Sequence, residues 1–303
     1  MAIKTCRGWT LALALAAAFP PLAPARSCPP EGWTRADLDS LRAAEFRVAD
    51  GARRSTLALG LLDCLGAPDP GLRDGIAFEA WSAWLRAGDL DETSRRLAVD
   101  RLLPRLRAGA DAAGFAAPFA ALVLSEIVRT DRIHPWMTPA ERERVLTEGV
   151  EYLSGVRDYR GFDERKGWRH GVAHGADLML QLALDPALDK AQLDRLLAAV
   201  ATQVAPAGQA YVYGEPERLA RPVLYAALRG LHSQAEWDSW FAALATPGAA
   251  ATWREAVATQ AGLARRHDLR AFLLAIYVEI ADEQRAPLVA MRPAVLAALK
   301  RVP

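Results

Sequence analysis

Nearly every segment of this chain between turn-forming residues carries apolar side chains at three- and four-residue spacing. No stretch shows a convincing run of period-2 alternation. That periodicity leaves only helical architectures. Thr34 is a good N-cap, with Asp37 in the first turn. A second helix runs from about 52 to 65 and stops at the breaker cluster Gly66-Ala67-Pro68-Asp69-Pro70-Gly71. A third covers about 72–86. A fourth starts at Asp89 or Asp91 and reaches about Arg107, with a kink expected at Pro104. The next, about 113–128, is almost wholly apolar and reads as central. Thr138-Pro139-Ala140-Glu141 is the clearest boundary: Thr caps, Pro takes the first helical position, and Glu closes a capping box. That helix should end near Leu153. Further helices are expected at about 168–183, 189–203, 216–231, 235–245, 249–262, 266–282 and 292–300, with a short strand-like excursion at Pro206 to Tyr213.

About a dozen helices in pairs every ~35–45 residues predict an all-α chain, first as a curved α-α superhelix of armadillo or HEAT kind. A closed α/α toroid or an irregular bundle is the second choice. The first 25 residues read as an export signal, with Lys4 and Arg7, an apolar run from Leu11 to Ala18, and Ala23-Pro24-Ala25 as cleavage site. Residues 26–303 then form one helical domain, periplasmic or secreted, with no integral membrane span. The 37 basic and 36 acidic residues become 35 and 36 without the signal, and a nearly neutral chain has no electrostatic footprint for nucleic acid. Cys6 leaves with the signal, and the remaining Cys28 and Cys64 predict one disulfide.

The text Gly167-Trp168-Arg169-His170-Gly171-Val172-Ala173-His174-Gly175-Ala176-Asp177 concentrates the chemistry. At about 100° per residue, His170, His174, Asp177 and Gln181 fall within a ~60° arc of a helix. Trp168, Val172, Ala176, Met179 and Ala183 fall opposite, on the side expected to face the core. Three readings stay open. His170 and His174, one turn apart, can reach a single zinc or other divalent metal, with Asp177 ligating or orienting and a fourth ligand from His134, Glu215 or Glu217. The same stripe can hold a polar ligand directly. Or its polar atoms merely satisfy loop and helix-end groups, or pair with Arg157 or Arg160. Gly171 stands where the zinc-protease signature H-E-x-x-H has glutamate.

The segments Arg157-Asp158-Tyr159-Arg160-Gly161-Phe162, Lys166-Gly167-Trp168, His170, Ala173-His174-Gly175-Ala176-Asp177 and Gly214-Glu215-Pro216-Glu217-Arg218-Leu219-Ala220 resemble a bacterial family of unknown function, number 2785. The resemblance implies an all-helical, armadillo-like fold over most of the chain, and no reaction, substrate or cofactor.

Two neighbouring blocks complete the candidate site. The loop 157–167 mixes Arg157, Arg160, Arg165 and Lys166 with Asp158, Asp163 and Glu164, a composition that favours internal salt bridges over anion binding. Glu215-Pro216-Glu217-Arg218 opens a helix, its acids suited to the dipole, with Glu217 as the candidate proton carrier. No phosphate loop, dinucleotide fingerprint or nucleophile elbow occurs. Two functions follow. The first is binding of a peptide, protein segment or polar small molecule in a groove formed by Arg160, Trp168, His170, His174, Asp177, Glu217 and Arg218. The second is a hydrolase, with or without metal, built on His170, His174 and Asp177.

Overall fold

A computed structural model describes residues 27–107 and 113–303; the expected export segment lies outside them. The described chain is all-helical, with one two-residue strand pair. The elements are α1 (Arg35–Ala43), α2 (Gly51–Leu61), α3 (Pro70–Leu72), α4 (Glu79–Ala87), α5 (Glu92–Leu102), α6 (Ala116–Ile133), α7 (Pro139–Gly155), β1 (Phe162–Asp163), β2 (Gly167–Trp168), α8 (Gly171–Ala183), α9 (Lys190–Val204), α10 (Glu215–Leu228), α11 (Gln234–Leu244), α12 (Trp253–Ala256), α13 (Gln260–Ile280) and α14 (Ala286–Arg301).

The caps lie where local chemistry puts them. Thr34 and Thr138 each accept from the backbone N–H three residues on, and Asp37 and Glu141 reach back to complete the boxes. Pro104 falls in a 3-10 turn over Leu103–Leu106 that ends the α5 region. The expected helix at 249–262 is not continuous. Thr252 and Thr259 both act as N-caps, so a four-residue α12 precedes a separate α13. The excursion expected at 206–213 forms no strand; the only pairing among the described residues is β1 with β2.

Packing follows the alternation of helix pairs. Helices α4, α6, α8, α10 and α13 pack successively on one another as one row, and α2 on α5 and α7 on α9 form the second, with α5·α6, α7·α8 and α9·α10 joining the rows. From α4 to α10 every second helix stacks on the one before, and the short α3 and the α11–α12 excursion are skipped; such stacking is the organisation of an α-α superhelix. A continuous apolar core from Leu38 to Val302 fills the space between the rows. Trp81, Trp84 and Trp237 are fully buried within it. The indole N–H groups of Trp81 and Trp84 donate to the carbonyls of Ala58 and Phe46, so each ring adds apolar area without stranding a donor. The disulfide Cys28–Cys64 forms, with Cα atoms 5.1 Å apart, and ties the segment before α1 to the turn after α2.

One buried cation locks the rows together. Arg142 of α7 donates through Nε to Asp131 Oδ2 at the end of α6, 2.9 Å away. Asp185 Oδ2, just past α8, lies 3.0 Å from the same Nε as an ion pair without hydrogen-bond alignment. Asp131 Oδ1 also accepts from the N–H groups of Trp136 and Met137, fixing the turn into α7. Among the described residues no helix is long and apolar enough to cross a membrane.

Candidate functional site

The site begins with a turn. Asp163 Oδ1 accepts from the N–H groups of Arg165 and Lys166, and Gly167 takes a positive φ of 72°. This closes a hairpin that pairs Phe162 with Trp168 and Asp163 with Gly167. Arg169 N–H then donates to the Gly161 carbonyl, extending the pairing by one bond. The hairpin occupies the first positions of the helix expected from the sequence. Trp168 therefore lies on β2, outside α8, and His170 becomes the N-cap at φ 54°, ψ 41°. Trp168 does not face the core with Val172, Ala176, Met179 and Ala183, all four of which are buried as expected.

Displacing Trp168 creates an aromatic platform. Trp168 is 38% exposed, and its ring touches Phe162 (4.8 Å between centroids), Tyr213 (5.8 Å) and His170 (4.0 Å). Phe162 and Tyr213 are themselves exposed. Beneath lie the histidines. The rings of His170 and His174 stack with centroids 5.8 Å apart, and His174 meets Phe119 of α6 edge-on at 5.1 Å. His174 is buried. Neither Nδ1 atom has a hydrogen-bond partner among the described residues. Burial, reinforced by the positive charge of Arg218, pushes the His170 imidazole down to about 4. Burial pushes His174 well below its ordinary range, helped by His170 and Arg218. Both rings are neutral at pH 7.

Asp177, one turn further along α8, is engaged by Arg218 of α10, whose Nε donates to Oδ1 at 2.9 Å and whose Nη2 pairs with Oδ2. Burial raises the Asp177 carboxyl, and Arg218 opposes that shift. Gln181 Oε1 accepts from Arg132 of α6. The stripe on α8 thus faces α6 and α10, its neighbours in the row.

A buried cation underlies the platform. Arg73 starts a π-helical turn, Arg73–Phe78, between α3 and α4. It is fully buried, pairs with Asp74, donates to the Ala67 and Lys166 carbonyls, and lies 3.9 Å from the Phe115 ring centroid and 4.9 Å from that of Phe119. Arg169 stacks over Phe115 at 4.5 Å. Phe119 thereby couples the Arg73 guanidinium to the His174 ring.

The other expected residues are placed differently. Arg160 pairs with Asp158 two residues away inside its own loop. Glu217 is exposed and forms no hydrogen bond or ion pair with the histidines among the described residues. Its neighbour Glu215 is the buried acid of that block and accepts from the Tyr213 N–H. His134 is the C-cap of α6, at the end remote from Phe119. Among the described residues no three His, Cys, Asp or Glu side chains are grouped to hold a metal ion, so His170, His174 and Asp177 do not converge as a ligand set. Sequence reasoning misses Phe162, Tyr213, Phe119 and Arg73. A signal exists for the first in the Asp163-to-Gly167 turn, whose Asp and Gly positions specify a hairpin.

The family described as "Protein of unknown function (DUF2785)" has a model that matches residues 102–278, more than half the chain and all seven expected site residues. No curated protein and no solved structure matches the chain.

Proposed function

The chain belongs to the DUF2785 family, and we propose that it is a binding protein whose ligand lies across Trp168 with polar atoms directed to His170 and His174. The observation that carries this reading is an exposed Trp168 in ring contact with His170, the first of two neutral, stacked histidines whose Nδ1 atoms have no partner among the described residues. A rigid indole offers apolar contact at small entropic cost, and an imidazole nitrogen without a partner discriminates for a hydrogen-bonding group. The ligand class that suits both is a peptide segment or polar small molecule with one apolar face. Phe119, edge-on to His174, fixes that ring, and Arg218 and Asp177 are already paired with each other. Residues 26–303 are proposed as one helical domain, and export to an oxidising compartment is supported by the Cys28–Cys64 bridge and the signal-like N-terminus.

The test is a screen of peptide and polar-metabolite libraries by quenching of tryptophan fluorescence. A ligand of this site should lose at least about tenfold in affinity for Trp168→Ala and for His170→Ala, with thermal stability nearly unchanged in the first variant. Ligands that bind wild type and both variants alike would remove the reading.

A second reading, metal-assisted hydrolysis, has one observation behind it: both imidazoles are unprotonated at pH 7, the state a metal requires. It needs Asp177 to leave Arg218, or a ligand from outside the pair. Metal analysis of protein purified without chelator, beside His170→Ala/His174→Ala, separates the two. Stoichiometric metal in wild type alone favours hydrolysis, and metal-free protein after incubation with zinc and manganese favours plain binding.

A further inference from the structure

A cavity lies at the far end of α6, about 16 Å from Phe119 given eleven residues at a rise of about 1.5 Å each. It encloses about 450 Å³ between the C-terminal ends of α4 and α6 and the first turn of α5. Arg86, Arg95, Arg129, Thr130 and His134 line it, and none of its lining residues is acidic.

The three guanidiniums are in different circumstances. Arg86 is committed to Glu126, with Nε donating to Oε2 at 3.1 Å. The Arg95 guanidinium lies over the Trp136 ring, 4.7 Å from its centroid, and makes only long contacts, 3.4 Å each, to the Asp91 carbonyl and Thr130 Oγ1. Among the described residues no carboxylate lies within ion-pair distance of it. Its neighbour Arg96, by contrast, holds both Glu92 and Glu141. Arg129 has neither hydrogen bond nor ion pair among the described residues, although it is only partly exposed.

Helix dipoles account for some of this charge and not the rest. Arg86 in the last turn of α4 complements that helix C-terminus. Arg95 is in the first turn of α5, where a cation opposes the dipole, so no helix-end argument places it there. Stacking on Trp136 fixes the plane of its fork and leaves its N–H edge for a bidentate acceptor. Burial pushes the Arg95 guanidinium below its ordinary range, and the more distant charges of Glu92, Asp91 and Asp131 only partly oppose the shift.

We propose that this pocket binds a small oxyanion, a phosphate or carboxylate group, held by Arg95 and Arg129 with Arg86 at the rim. The site is separate from the Trp168 platform and does not depend on what binds there.

The test titrates inorganic phosphate and citrate into the full chain, at ionic strength matched with sodium chloride, by isothermal calorimetry and thermal melting. Saturable binding of either, absent with chloride alone, is expected. Arg129→Gln should weaken it about tenfold without altering the unliganded melting temperature, because Arg129 holds nothing in the fold. Arg95→Lys keeps the charge, loses the planar fork, and should weaken binding by a similar factor. Saturation by phosphate alone assigns a phosphoryl ligand, and by citrate alone a carboxylate. Titrations indistinguishable from chloride, or full-strength binding by Arg129→Gln, overturn the proposal.

Discussion

The ring of Tyr213 occupies the space where Gly161 would carry a side chain. A Cβ built on Gly161 would stand 2.1 Å from Tyr213 Cδ2 and 2.4 Å from Cε2. Glycine is required by contact here, and the contact seats Tyr213 against Trp168. Gly161→Ala should therefore displace Tyr213, cost about 1–3 kcal/mol, and weaken ligand binding at the platform. Gly161→Ala/Tyr213→Ala should recover much of the stability and none of the binding. Chemical denaturation of the single and double variants checks this. Additive losses would show that the two residues do not compete for one space.

Arg142 gives a larger effect. It faces two buried aspartates from elements on either side of α7, and removing it leaves both without their cation. Arg142→Ala is expected to destabilise by about 3–5 kcal/mol. Arg142→Ala/Asp131→Asn/Asp185→Asn should lose less, since no buried charge then remains. Urea unfolding midpoints at pH 7 distinguish the two.

The histidine pair predicts an acid limb. Both imidazoles have folded pKa values below their unfolded ones, His170 at about 4, so the native state binds fewer protons between pH 6.5 and 4. Their neutral burial is fully compatible with folding above pH 6.5, and stability falls as pH drops through that window. Asp268 works the other way. Fully buried, with Oδ1 accepting from Tyr211 N–H and Oδ2 bare, its carboxyl is pushed up to about 6, so its protonation favours the native state as pH falls below 6. Asp177, Glu215 and Asp74, also raised by burial, act in the same direction as Asp268, so the histidine contribution is read from the variants and not from the wild-type slope alone. His174→Gln should flatten the profile and Asp268→Asn should steepen it. Melting temperatures measured across pH 4–8 decide; identical slopes in all three proteins would remove the histidines as the cause.

What the sequence revealed was local. The boxes at Thr34 and Thr138 were legible because a cap is written within four residues. So was the buried face of α8 from Val172 onward, since helical spacing alone sorts those residues. The start of α8 was not legible. Periodicity carried Trp168 and His170 into the helix, whereas the Gly161 carbonyl, captured by Arg169 N–H, holds that stretch in hairpin geometry. Choosing between Glu215 and Glu217 was likewise beyond sequence: both suit a helix start, and only the fold of 211–213 onto Glu215 turns one inward. The aromatic platform escaped notice because its members come from the hairpin and from a loop some fifty residues later, joined only by packing.

Arg73 bears on where the working unit begins. The family match starts at residue 102, yet the carbonyl of Lys166 in the hairpin accepts from Arg73, and the rings of Phe115 and Phe119 lie under the same guanidinium. The inherited boundary and the mechanical one therefore differ by nearly thirty residues, the distance along the chain from 73 to 102. A fragment trimmed to the matched segment would retain every candidate residue of the Trp168 platform while losing the keystone that keeps the hairpin seated. Such a fragment could be inactive with both histidines fully competent.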